Sequence, residues 1–169
     1  MKVPPNVVSS AHLISEHSVE LSEFEFGLIV AKNAFDRWMS RCMSAAGEPR
    51  LTPIEVSLLH HVNHREREKK LADICFVLNI EDTHVVSYAL KKLINLGWVQ
   101  SRKEGKEVLF CTTEAGAALC EQYRQIREQC LINMLKESGL DNAEIGTTAQ
   151  LLRRLSSLYD QASRASAAL

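Results

Sequence analysis

The run from Leu51 to Gly116 constrains this chain more tightly than any other part of it. Thr52-Pro53-Ile54-Glu55 opens it with a capping threonine, a proline in the first turn where its missing N–H costs nothing, and a glutamate at the third helical position. The helix that follows is predicted to bury Ile54, Leu58 and Leu59 or Val62, and to run out in the polar stretch 64–68. Leu71, Ile74, Cys75 and Leu78 predict a short second helix, and Asn79-Ile80-Glu81 leads to Asp82, a candidate N-cap for a third helix through Leu96. In that helix Val86, Ala89, Leu90 and Leu93 take the inward positions. Gly97 stops it, and Trp98-Val99 and Val108-Leu109-Phe110 read as the two strands of a hairpin that turns at Glu104-Gly105. Three helices followed by a narrow hairpin form a winged helix-turn-helix, an arrangement suited to setting its third helix into a DNA major groove.

Charge distribution agrees with that use. The chain of 169 residues has a formal net charge of −1, which excludes a protein coated in basic residues for indiscriminate binding. Between Arg50 and Lys106, however, ten Lys/Arg stand against seven Asp/Glu, whereas the remainder carries ten against fourteen. The basic excess is local. On the third helix Thr83, His84, Ser87 and Tyr88 are the candidate base readers, with Lys91 and Lys92 at phosphates. On the hairpin Arg102, Lys103 and Lys106 are placed to meet the backbone or the minor groove, whose negative potential favours long cationic side chains.

Flanking segments are predicted to be helical. Residues 1–20, with Pro4-Pro5 and no sustained periodicity, read as a flexible arm. Ser22-Glu23-Phe24-Glu25 supplies a capping box for a helix over 22–44 with an apolar stripe through Leu28, Ala31, Phe35, Trp38, Met39 and Cys42. Thr113 caps a helix over about 114–137, roughly 36 Å at 1.5 Å per residue, longer than a three-helix core needs for cover. A last helix around Leu151–Tyr159 precedes an Ala/Ser-rich tail, 161–169. The surplus apolar surface of these helices predicts a homodimer, with two modules facing half-sites roughly 34–36 Å apart on DNA; a monomeric bundle whose stripes cover each other is the alternative.

Other chemistries find little support. No apolar run approaches the roughly 18 residues of a membrane span and no secretory signal is evident, so the cytoplasm is the expected compartment and no membrane partner is expected. Cys42, Cys75, Cys111, Cys120 and Cys130 lack Cys-x-x-Cys spacing and read as reduced, mainly buried thiols; a redox switch at Cys42, Cys75 or Cys111 is the lesser reading. His60 and His64 would share a helical face if the helix persisted that far, but no ligand set of metal spacing accompanies them. Neither a phosphate loop, a nucleophile elbow nor a paired-carboxylate site is apparent, so no enzyme, metal or cofactor is expected.

The stretch Val85-Val86-Ser87-Tyr88-Ala89-Leu90-Lys91-Lys92-Leu93-Ile94-Asn95-Leu96-Gly97-Trp98-Val99 and the strand-to-helix junction Cys111-Thr112-Thr113-Glu114-Ala115-Gly116, set between flanking helices, resemble the MarR family of winged-helix transcription regulators. The resemblance covers residues 22–160. It implies a mainly α fold with a small β-hairpin: a winged core over 51–112, with helix 82–96 in the major groove and hairpin 99–110 beside it, and dimerisation helices over 22–44 and 113–160. It further implies sequence-specific binding of double-stranded DNA by a homodimer, and a small aromatic or anionic effector in a cleft that Phe35, Trp38 and Met39 could line. Where the family's wing carries an aspartate two residues before an arginine, this chain has Glu104-Gly105-Lys106, shorter and less charged. A winged-helix protein–protein interaction module is the competing function, since the same exposed faces can serve protein contact.

Overall fold

The third helix of the winged segment, α4 (Thr83–Asn95), forms as its caps dictate. The Asp82 carboxylate accepts from the His84 N–H at 2.8 Å, and the other end closes on Gly97, whose positive φ of 81° lets the Trp98 N–H reach the Leu93 carbonyl at 3.0 Å. In the computed structural model, which describes residues 11–169, α1 (Val19–Ala45), α2 (Pro53–Asn63), β1 (Lys69–Lys70), α3 (Leu71–Val77), α4, β2 (Val99–Glu104), β3 (Glu107–Thr112) and α5 (Glu114–Arg127) follow in order. Residues 1–10 of the expected arm lie outside the described residues. A π-helical turn (Glu128–Ile132), α6 (Asn133–Glu137) and α7 (Asn142–Ser166) complete the chain. Compactness divides it after Ile126, so the part from Arg127 onwards is described by itself.

Helix α1 begins at Val19, three residues before the expected start. Ser18 takes the cap, accepting from the Leu21 N–H, while the Ser22 hydroxyl is buried and donates to the Leu13 carbonyl at 2.7 Å. The described end of the presumed arm is thereby folded back on the helix it precedes. Only the last turns of α1 reach the core: Met39, Cys42 and Met43 are buried, while Leu28 and Phe35 stay exposed.

That core lies between α2, α3 and α4 and is closed by α5. Val56, Leu58, Leu59, Ile74, Val86, Leu90 and Leu93 are fully buried, with Leu119 and Tyr123 of α5 against them. Ile54 is only half-buried, because the inward place in the first turn of α2 goes to Glu55. The capping box is present there, with the Thr52 N–H donating to the Glu55 carboxylate at 2.8 Å. Helix α3 closes on Asn79, in the left-handed region at φ 52°, with the Ile80 N–H on the Cys75 carbonyl. Asparagine is among the few residues that adopt this conformation readily.

The expected hairpin has a third strand. The sheet order is β1-β3-β2, antiparallel throughout, with Lys69 opposite Phe110, Val99 opposite Thr112 and Glu104 opposite Glu107. Lys69 explains how so short a strand persists: its ammonium donates to the Val62, His64 and Arg67 carbonyls at 2.6–3.0 Å, fastening the α2–α3 connection.

Beyond Ile126 the unbroken α-helix expected to 137 is interrupted by the π turn, which re-phases the side chains that follow. Helix α7 is capped by Asp141 and continues to Ser166. Most of the presumed tail is therefore helical, as its alanines favour. Among the described residues, no helix is long and apolar enough to cross a membrane.

Candidate nucleic-acid interface

The exposed face of α4 follows from its buried one. With Val86, Ala89, Leu90 and Leu93 inward, helical geometry turns Thr83, His84, Val85, Ser87, Tyr88 and Lys91 outward, and all six are exposed. Five of the nine residues singled out for DNA contact thus share one surface.

Lys92 does not join them. Its ammonium donates to the Glu55 carboxylate and the Arg50 carbonyl, at 2.8 and 2.7 Å, so it braces α4 against the start of α2. Four residues apart from Tyr88, it sits on the half-buried flank of the helix, where a carboxylate of the core edge meets it first.

A second carboxylate, not anticipated from the sequence, fixes the same end of α4. Glu48 is buried and accepts from the Arg50 backbone N–H, from Arg50 Nε and Nη2 and from the Trp98 indole, all within 3.0 Å. These hydrogen bonds, the Arg50 guanidinium foremost, hold its pKa down to about 2. In sequence it sits within a helix-breaking Gly-Glu-Pro-Arg, and nothing local marks its partner fifty residues away. Thr113 completes the joint, donating to the Gly97 carbonyl at 2.7 Å and accepting from the Gly116 N–H at 3.0 Å, while its own N–H reaches the Trp98 carbonyl. Gly116 packs so closely on that carbonyl that a Cβ would overlap it.

On the wing, cations divide into paired and unpaired. Glu104 and Glu107 face each other at the neck of the hairpin, a like-charge pair that needs compensation. Lys70 of β1 pairs with Glu107 at 2.6 Å and Arg102 with Glu104 at 2.7 Å. Arg102 also makes a two-pronged contact, Nε and Nη2 onto the two oxygens of Glu68 in the α2–α3 connection. The pairing raises the Arg102 pKa and lowers that of Glu68. Lys103 and Lys106, like Lys91 on α4, are exposed and pair with no carboxylate among the described residues.

The three residues proposed to line an effector cleft differ in burial. Met39 is core, taking the Ser57 hydroxyl on its sulfur at 3.7 Å; Trp38 packs on the core edge; Phe35 projects outward, 56% exposed. A groove of about 650 Å³ runs between His61, His64, Arg67, Asp73 and Phe76, and another of about 310 Å³ lies beside Asn63, Cys111 and Glu114; neither includes any of the three. The histidine pairing also differs from expectation. Helix α2 ends at Asn63, so His64 shares the groove with His61, while His60 stands edge-on to Tyr123 at 4.4 Å with its pKa lowered by burial.

The five cysteines are free. Cys42, Cys75 and Cys120 are buried, Cys111 is half-buried and takes the Gln100 amide at 3.5 Å, and Cys130 is exposed. Burial pushes the Cys120 thiol up to about 12, which keeps it protonated and inert.

Residues 51–116, the segment containing α2 to β3 and the Thr113–Gly116 joint, match the family model of the winged helix DNA-binding domain. A mutant of E. coli MarR complexed with operator DNA superposes with a TM-score of 0.67 at 23% identity, covering 83% of this chain and 99% of that one. The chain has the MarR fold. Reduced AbfR bound to DNA is equally similar, with a TM-score of 0.68 at 16% identity over 82% and 94% of the two chains. Wild-type E. coli MarR in its apo form gives 0.57 at 24% identity, over 76% and 93%. No curated protein sequence matches. In this MarR fold the exposed face of α4 occupies the place of the third helix of a winged helix-turn-helix, and the Lys103–Lys106 hairpin that of the wing.

Proposed function

We propose that the chain is a transcription regulator that binds double-stranded DNA sequence-specifically as a homodimer, α4 entering the major groove and the wing lying at the backbone or minor groove. One observation carries the reading: within a segment matching a winged helix DNA-binding domain, the whole outward face of α4 from Thr83 to Lys91 is exposed. Thr83, His84, Ser87 and Tyr88 are the base-facing set, and Lys91, Lys103 and Lys106 the phosphate set. Similar proteins captured on DNA lend support. Pairing of protomers is supported by apolar surface that the single chain leaves open, on α1 at Phe26, Ile29, Val30 and Phe35 and, in the second unit, at Ile145, Leu151 and Leu158. A small aromatic or anionic effector belongs to the same proposal.

Selection of bound duplexes from genomic fragments at low salt tests the reading. Enrichment of one palindromic sequence is expected, with affinity falling as salt rises. Lys91→Ala should weaken all sequences alike and lower the salt slope by about one per protomer. Failure to enrich any sequence would favour the protein-interaction module instead.

A further inference from the structure

The reading face of α4 is unusual in what it lacks. From Thr83 to Lys92 there is no arginine, asparagine or glutamine, the side chains that grip guanine or adenine edges with two hydrogen bonds. Serine and threonine hydroxyls donate and accept alike and discriminate weakly, and Lys91 is a point charge without a planar fork. What stands outward at the middle of the face is largely apolar, a valine and the ring of a tyrosine. Val85 is 42% exposed and Tyr88 76% exposed, although the core of the module is complete without them. Three positions apart, they are neighbours on the helix surface. His84, Ser87 and Lys91 rim them, which sets the apolar centre inside a polar edge that carries the Lys91 ammonium. That edge complements a polyanion, and in the major groove of duplex DNA the one apolar group offered is the 5-methyl of thymine.

We propose that Val85 and Tyr88 read thymine methyl groups, so that each half-site carries thymine at neighbouring base pairs beneath the first turns of α4. The inference rests on the DNA-binding reading above. Positions 85 and 88 are separated by about 4.5 Å along the helix axis, comparable to the 3.4 Å step of stacked bases, so adjacent pairs lie within reach of the two side chains.

The test uses the full chain and the duplex enriched by selection, with each thymine of a half-site replaced in turn by deoxyuridine. That exchange removes the methyl group and keeps the base pair and its O4 acceptor. Binding is expected to weaken about fourfold at each contacted position, the value of one buried methyl. In the variants Val85→Ser and Tyr88→Ser, both at exposed positions, thymine and deoxyuridine duplexes should bind equally at the matching position. Circular dichroism and thermal melting should be unchanged. Equal binding of both duplexes by the unaltered protein across the whole half-site overturns the inference and leaves DNA recognition standing, as does discrimination that persists in both variants. Absence of any enriched duplex overturns both.

Discussion

Two carboxylate–guanidinium pairs of nearly the same geometry do opposite work in this molecule. Glu48 and Arg50 meet through Nε and Nη2, as do Glu68 and Arg102. Glu48 is buried, shares its oxygens with the Trp98 indole and lies where α1, α2 and the exit of α4 converge. Removing Arg50 would strand the Glu48 carboxylate, whereas Arg50, its side chain 61% exposed, would still meet water. Glu68 and Arg102 are 33% and 55% exposed at the root of the wing, where water and salt already compete for both charges. The pair with the buried carboxylate fixes the angle at which α4 is presented. The exposed pair can exchange a carboxylate for a phosphate at little cost. One chemistry therefore makes either a joint or a reserve of charge, according to solvent.

If the joint is as tight as this contrast requires, Gly116→Ala should have the largest effect of any single methyl added to the chain. Helix propensity alone would make alanine about 1 kcal/mol better than glycine in α5. The new Cβ would instead overlap the Trp98 carbonyl, which is backbone and cannot swing aside, so we expect a loss of at least about 3 kcal/mol. Urea denaturation decides between them by the sign of the change in midpoint.

Glu48→Gln comes next, at about 2 kcal/mol for the loss of a charged acceptor serving the Arg50 and Trp98 donors. Its pH dependence carries the sign. The folded-state pKa of Glu48 is lowered from 4.5 to about 2, so the ionised group favours folding above the unfolded value and that contribution disappears as pH falls from 4.5 through 2. The stability gap between wild type and Glu48→Gln should be flat above about pH 5 and narrow over that acidic window. A gap that stays constant down to pH 2 would mean that Glu48 is not the ionised brace described here.

How much of this was legible in sequence depended on the range of the interactions. Thr52, Asp82 and Gly97 announce helix ends because capping is settled within three residues, and the inward set Val86, Ala89, Leu90 and Leu93 follows from periodicity alone. The outward face of α4 was read correctly for the same reason. The brace that Lys92 makes was not legible because its partner, Glu55, is 37 residues away, and Glu48 was overlooked because Trp98 is fifty away. Two-residue β1 has no period to detect, and nothing local marks the carbonyls gathered around Lys69. In α1 two serines competed for the cap, and Ser22 lost to Ser18 because the preceding chain folds back to take its hydroxyl.

The smallest predicted effect probes the wing's side of the contrast. In Glu68→Gln the two-pronged hold on Arg102 is reduced to neutral contacts, leaving Glu104 at 2.7 Å as the remaining anion. Because the pair is exposed, stability should hardly move. DNA affinity at low salt should rise two- to threefold, in keeping with the roughly 0.2–1 kcal/mol of an exposed pair. The dependence of log affinity on log salt should steepen by up to about 0.9 per protomer as Arg102 gains a phosphate. The double variant Glu68→Gln/Arg102→Gln should lose both gains, which ties them to Arg102 and not to the general loss of a negative charge near the groove. Were Glu68→Gln to weaken binding instead, Glu68 would be aiming the guanidinium at DNA, and the wing would have to be regarded as a built contact like the joint.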